Sequence, residues 1–307
     1  MPLLKKILLL ILLAIPACCP CGISTHTPLP SPITLEEQSR RLTAWSHAFP
    51  RLRATTVVLG VRMEYQDDKG QSHTQNAEGT LQIRQHFDAP PAGADVRLLG
   101  KAYGQVAMDA GRNARDWWFA IKVDPTKTAW MGDAAAPPNL ASLGNSQSMG
   151  VLRADLVPEV LALTPLPAPA SRDQSLMMLV NDDQGTNELF IVQATGGRPH
   201  ITRQIIVDRS TGEVRQVRLF DDAGVLVVQS QLTDYAPVTY ESAEDTPPPA
   251  TPPAKFPKIV KVTYLTQHMN IMLQFDEVKV PASMPPAAFT TPNFATEGLK
   301  IIAVENP

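Results

Sequence analysis

The sequence predicts a mainly β protein: one strongly curved antiparallel sheet, an open or half barrel of about eleven strands, covered by two or three helices. Two observations carry this. Apolar residues alternate at period two through most of the chain, and short turn signals of Asp, Asn, Ser and Gly separate the alternating runs. Neighbouring strands joined by short turns make a meander, which favours a curved antiparallel sheet over a parallel α/β arrangement.

Taken in order, the first periodic segment is helical. Thr34 and Glu37 have capping-box spacing, and Leu35, Leu42, Trp45 and Phe49 recur at helical intervals until Pro50 ends the run. From Thr55 the period is two. Asp67-Asp68-Lys69-Gly70 separates a run ending at Tyr65 from one over 79–87, and Pro90-Pro91-Ala92-Gly93 leads to runs over 96–99 and 105–109. In the strand over 116–123, Trp117, Phe119, Ile121 and Val123 share one face, while Trp118, Ala120 and Lys122 share the other. The stretch 152–163 returns to helical spacing, with Pro158 requiring a late start or a kink. Strands then resume over 175–181, 187–193, 202–208, 213–220 and 225–235, with Asp182-Asp183-Gln184-Gly185, Arg209-Ser210-Thr211-Gly212 and Asp221-Asp222-Ala223-Gly224 as turns. A last hairpin covers 258–265 and 270–275, and a proline-bearing tail from Val280 wraps the surface before a terminal strand over 299–304.

Composition narrows the function. The 307 residues include 29 prolines, about twice the usual share, clustered where loops are expected. The insert 242–254 is read as a Pro-rich loop inside a single domain over 34–307, because too few residues follow it to build a second core. Residues 1–17 read as a signal peptide: Lys5 and Lys6 precede an apolar run that stops at Pro16, too short to span a bilayer. Without those two lysines, 25 basic residues face 30 acidic ones, and no basic cluster marks a nucleic-acid surface. Cys18, Cys19 and Cys21 are the only cysteines, so the body has no disulfide framework and no thiolate metal site.

Ile15-Pro16-Ala17-Cys18 resembles a bacterial lipobox, with Pro16 departing from the usual small or aliphatic residue. That resemblance implies lipid attachment at Cys18, a tether over 18–33, and an exported body held at a bacterial membrane, in the periplasm. Triple acylation anchors stably where one chain does not.

No catalytic constellation stands out. The six histidines are scattered without His-x-x-x-His or His-x-His spacing, giving no metal site, and no cofactor fingerprint is present. The segment 144–150 lacks the second glycine of a nucleophile elbow. Asp182-Asp183 and Asp221-Asp222 sit in hairpin turns, where Asp is expected for backbone reasons. The chain is therefore read as a non-enzyme.

The stretch Ile205-Ile206-Val207-Asp208-Arg209-Ser210-Thr211-Gly212-Glu213-Val214, continuing through Leu219-Phe220-Asp221-Asp222-Ala223-Gly224, resembles the strand, Asp-x-x-x-Gly turn, strand and Asp-Gly turn of the LolA and LolB lipoprotein-carrier superfamily. The runs over 79–87 and 117–123 fit its first half. The resemblance implies a curved sheet wrapped around an apolar cavity that accepts acyl chains, hence a lipid or an acylated protein as partner. Candidate lining residues are Trp117, Phe119, Ile121 and Trp118, with Met177 and Met178 as an adaptable apolar patch. For Trp117, Phe119 and Ile121 plain core remains the competing reading, and Trp118 is expected under a helix or at a rim. The alternative function is a structural envelope lipoprotein whose sheet is filled by its own side chains.

One test concerns the anchor. Cys18→Ala should leave the chain unacylated and free of the membrane pellet after a high-salt wash; retention of a signal-cleaved variant in the pellet would contradict the lipobox reading.

Overall fold

In the computed structural model, 31–66, 70–87, 93–123, 127–134, 154–167, 174–195, 198–241, 254–266 and 268–304 are described. They fall almost entirely in one compact unit, Pro32–Pro307. The signal, Cys18, most of the tether and nearly all of the Pro-rich insert lie outside the described residues.

Helix α1, Leu35–His47, begins where the sequence places it: Thr34 Oγ1 accepts the Glu37 amide hydrogen at 3.2 Å. Then come β1 (Arg51–Gln66), β2 (Ser72–His86), β3 (Gly93–Ala102), β4 (Gln105–Arg112), β5 (Asp116–Ile121) and β6 (Thr128–Asp133). A 3₁₀ turn, Ala154–Leu156, runs into the single-turn helix α2, Val157–Val160, with Pro158 in its first turn, where the missing N–H costs nothing. The second half holds β7 (Gln174–Asn181), β8 (Thr186–Thr195), β9 (Arg198–Asp208), β10 (Val214–Phe220), β11 (Leu226–Pro237), β12 (Thr239–Tyr240), β13 (Lys255–Tyr264), β14 (Met269–Gln274), β15 (Glu277–Val280) and β16 (Lys300–Ala303).

All sixteen belong to one curved, unclosed sheet, in the order β16-β6-β5-β4-β3-β2-β1-β14-β13-β11-β10-β9-β8-β7, with β15 paired to β1 and β12 to β15. Two meanders, β1–β6 and β7–β14, meet through the β1–β14 pair. Sixteen strands exceed the expected eleven or so, and the three with no counterpart among the alternating runs, β6, β12 and β15, are short. Most pairs are antiparallel; β16 returns parallel to β6, and β12 runs parallel to β15.

β1 changes partner midway. Its first half pairs with β15 and its second with β14, and between them the register against β2 shifts: Thr56 meets Gly79, yet Val61 meets Ala77. Three extra residues on β1 are an odd number, so Val61 and Met63 face the same side as Leu52 and Ala54, and Arg62 faces outward. Gly79 makes this possible. A Cβ there would stand 2.8 Å from Val61 Cγ2 and 2.9 Å from the Leu99 carbonyl oxygen.

The inner face carries the main core and is covered by α1 and the segment 154–163. Trp45, Phe49 and Phe256 pack ring to ring between α1 and β13, at 5.2–6.3 Å between centroids. Gln85 Nε2 donates to the carbonyl oxygens of Ser46 and Phe49 at 3.0 and 2.9 Å, satisfying the helix end. Buried Asn187 donates to Gln38 Oε1 at 2.9 Å, tying α1 to β8.

The β9–β10 turn is built on Asp208. Its Oδ1 accepts from the Ser210 amide at 2.7 Å, Ser210 Oγ at 2.5 Å and the Thr211 amide at 2.9 Å, and its Oδ2 accepts from Arg215. Burial pushes the carboxyl pKa up, but these donors outweigh it and hold the group at about 2, against an ordinary 3.8. Since the folded value is depressed, the stabilisation is complete above the ordinary value and is lost as pH falls through about 2. Asp208→Asn should cost up to about 2 kcal/mol near neutrality by the size of that depression. The gap in urea midpoint between parent and variant should narrow as pH is lowered from 4 towards 2, and a pH-independent gap would contradict the assignment.

Candidate functional site

A cavity of about 750 Å³ opens at one end of the inner face, where the β1–β2 and β3–β4 hairpins and the end of β5 come together. Val61 and Met63 reach it from β1, Ala77 from β2, Met108 from β4, and Phe119 and Ile121 from β5, with Val123 just beyond. Thr74, Gln75, Asn76, Glu78 and Lys101 also border it; of these, Gln75 shares the inner face with Met63, its partner on β1. Tyr103 stands there fully exposed, at a positive φ of 52° in a two-residue turn with Gly104 at 77°. The middle of the inner face is closed by protein: Ala154, Leu156, Val157, Val160, Leu161, Ala162 and Leu163 are all buried, and Ser230 Oγ donates to the Val160 carbonyl oxygen at 2.6 Å. Arg203 reaches Glu159 from β9, fastening the same segment.

The residues singled out from sequence fall in different places. Phe119 and Ile121 line the cavity; Phe119 is also core, its ring 5.7 Å from that of Trp130. Trp117 is buried beside them without reaching the lining, and it lies flat over Gly132, where a Cβ would come within 2.5 Å of its Nε1. Trp118 is on the outer face, covered by Phe294 and Leu299 of the C-terminal segment, neither under a helix nor at a rim. Met177 and Met178 lie on β7, at the far edge of the sheet: Met178 packs on the main core and Met177 is exposed. The lining contributions of Val61, Met63 and Met108 were not singled out from sequence.

β5 is held on its outer side by a buried carboxylate. Asp109 accepts from Arg97 at 3.3 and 2.9 Å and from Trp118 Nε1 at 3.0 Å, and Lys122 Nζ stands 3.4 Å away. Trp118 lies across Gly111, where a Cβ would come within 2.2 Å of its ring. The C-terminal segment closes over this group. Arg97 donates to the Ala288 carbonyl oxygen at 3.0 Å, Asn113 to that of Phe289 at 3.0 Å and Thr291 to Asp116 at 2.8 Å, while Lys122 meets Glu297 at 2.8 Å. The strand presenting Phe119 and Ile121 is thus fixed from behind.

No protein-family model matches the chain, and no curated protein matches it in sequence. Among solved structures it resembles a putative outer membrane lipoprotein-sorting protein domain from Vibrio parahaemolyticus, with 12% identity over 85% of this chain and 97% of that one and a TM-score of 0.49. It is also similar to a LolA superfamily protein from Nitrosomonas europaea, with 10% identity, 85% and 99% coverage and a TM-score of 0.43. A DUF1329 family protein from Desulfovibrio piger gives 8% identity, 83% and 96% coverage and a TM-score of 0.43. No residue here takes a role from these likenesses.

Removing a buried carboxylate while Arg97 stays leaves that guanidinium without its counter-charge, although Lys122 keeps Glu297, and breaking a buried pair costs about 3–5 kcal/mol. Asp109→Ala should therefore lower the urea midpoint strongly. A loss below about 1 kcal/mol, the range of exposed pairs, would show that the cluster is incidental.

Proposed function

We propose that the chain is an exported, membrane-anchored lipoprotein that binds a lipid, or the acyl chain of an acylated protein, in the cavity at the end of its half barrel. The observation that carries this reading is the lining. Apolar side chains from four strands, Val61, Met63, Ala77, Met108, Phe119 and Ile121, converge on a space within the size range of small-molecule sites. An acyl chain needs apolar walls and no hydrogen-bond partners, whereas a headgroup can stay in water at the open end, beside Gln75 and the charged pair Glu78 and Lys101. Acylation at Cys18 would keep this mouth near a source of acyl chains. The role is binding rather than catalysis, and the body works on the periplasmic side of a bacterial membrane.

The buried segment 154–163 favours a second reading, a structural lipoprotein, since it fills the middle of the inner face with the chain's own side chains. The two part on whether the remaining cavity takes a ligand.

Titration of the purified full chain with a fluorescent fatty-acyl probe distinguishes them. Ile121, half-buried at the lining, should tolerate enlargement, and Ile121→Trp should lower probe affinity about tenfold or more, a loss of ~1.4 kcal/mol or greater. Thr263→Trp on the outer face should leave affinity unchanged. Failure of the parent chain to bind any acyl probe would leave the structural reading standing.

A further inference from the structure

The two edges of the sheet are finished differently. At one end β16 has only four residues, begins with Lys300, and is delivered by a proline-bearing segment pinned to the outer face. Short length and charge are the usual protections of a sheet edge. At the other end β7 has eight residues, Gln-Ser-Leu-Met-Met-Leu-Val-Asn, with no charge and no proline. Among the described residues nothing pairs with its outer edge. Outward it shows exposed Ser175, Met177 at 59% and Leu179 at 53% exposure, beside half-buried Val192, Phe190 and Glu188 on β8. An eight-residue, uncharged edge with apolar side chains on its exposed face is a surface ready for strand addition.

We infer that β7 is a self-association surface, where a second copy of this chain adds its own β7 antiparallel to the first and continues the sheet across a two-fold axis. Three features select a second copy. A two-fold axis perpendicular to the sheet keeps both outer faces on one side, so a register centred on Met177 sets Met177 opposite its own copy and Ser175 opposite Leu179 of the partner subunit. The exposed side chains of β7 then meet only apolar or small neutral ones across the axis, while Glu188, beside Leu179 on β8, accepts from Asn181 and Gln204. The two ends of this edge of the sheet also differ in sign: exposed Asp183 sits in the turn after β7, and exposed Arg198, the first residue of β9, sits at the opposite end two strands in. Antiparallel pairing turns the Asp183 end of each copy towards the Arg198 end of the other. Thirdly, the charged and short β16 edge is unsuited to receive β7, so the contact closes as a dimer and does not propagate. This inference is independent of what the cavity binds.

The chain after Cys21 contains no cysteine, which allows a direct test in membranes holding the full-length protein. Met177→Cys, treated with copper phenanthroline, should give a disulfide-linked dimer on non-reducing gels several-fold above both the parent, which reports the N-terminal cysteines, and Thr263→Cys. Opposed residues of an antiparallel pair lie within disulfide reach. In density-matched detergent the parent should sediment as a dimer, and Met177→Lys, which puts a charge on the two-fold axis, as a folded monomer by circular dichroism. No cross-link above the two controls, or a monomeric parent at micromolar concentration, would overturn the inference.

Discussion

The structure depends on a register correction in one strand. β1 stands at the seam where the two meanders meet, and its halves bond different partners, β15 and then β14. Without an odd number of extra residues between Thr56 and Val61, the second half would turn Arg62 and Glu64 inward and Val61 and Met63 to solvent. Burying that pair of charges would cost far more than any turn could return. The correction is accommodated by the absence of a side chain at Gly79, over which Val61 folds. The cavity lies just beyond this point, so the inner face that the core needs and the apolar wall that the site needs come from the same adjustment.

Glycines serve the outer and inner faces of β5 in the same manner. Gly111 leaves room for Trp118 on one side of the sheet, and Gly132 leaves room for Trp117 on the other. Each indole lies across a neighbouring strand in place of a missing side chain, so adjacent tryptophans are both buried although they point in opposite directions. A sheet buried on both faces here needs a second cover, and the C-terminal segment supplies it. Asp109 ties that cover to the sheet, because Arg97 and Lys122, which its oxygens hold together with Trp118, also reach Ala288 and Glu297 of the C-terminal segment.

Much of this architecture is written locally. Alternation placed Phe119 and Ile121 on one face and Trp118 on the other, and Thr34 and Glu37 marked the start of α1. The Asp208 turn was visible because its bonds are made within three residues, apart from Arg215. Other features were hidden because they are satisfied at a distance. Residues 72–78, Ser-His-Thr-Gln-Asn-Ala-Glu, have no apolar alternation and are strand only because β1 pairs with them. β6 was missed because Ala129 and Trp130 are buried on opposite faces, so that its buried run does not alternate. The cover over Trp118 comes from Phe294 and Leu299, some 180 residues away, and no spacing in the sequence announces it. The lining has the same origin: each strand's inner face could be read, but not which hairpin ends converge.

The order of the strands also bears on how the chain reaches this state. Within each meander successive strands are joined by turns, so their pairing closes small loops and can form early. The β1–β14 pair joins Val61 to Leu273, about 210 residues along the chain, and ideal loop closure then costs ~2.7 kcal/mol more than for a ten-residue hairpin. That pairing also creates the bend on which the inner face depends. Until it forms, both halves expose unpaired strand edges. A chain that crosses a membrane before folding would thus pass through a stage in which its two halves are each partly ordered and the seam between them is open, the stage most vulnerable to proteolysis and to pairing with the wrong edge.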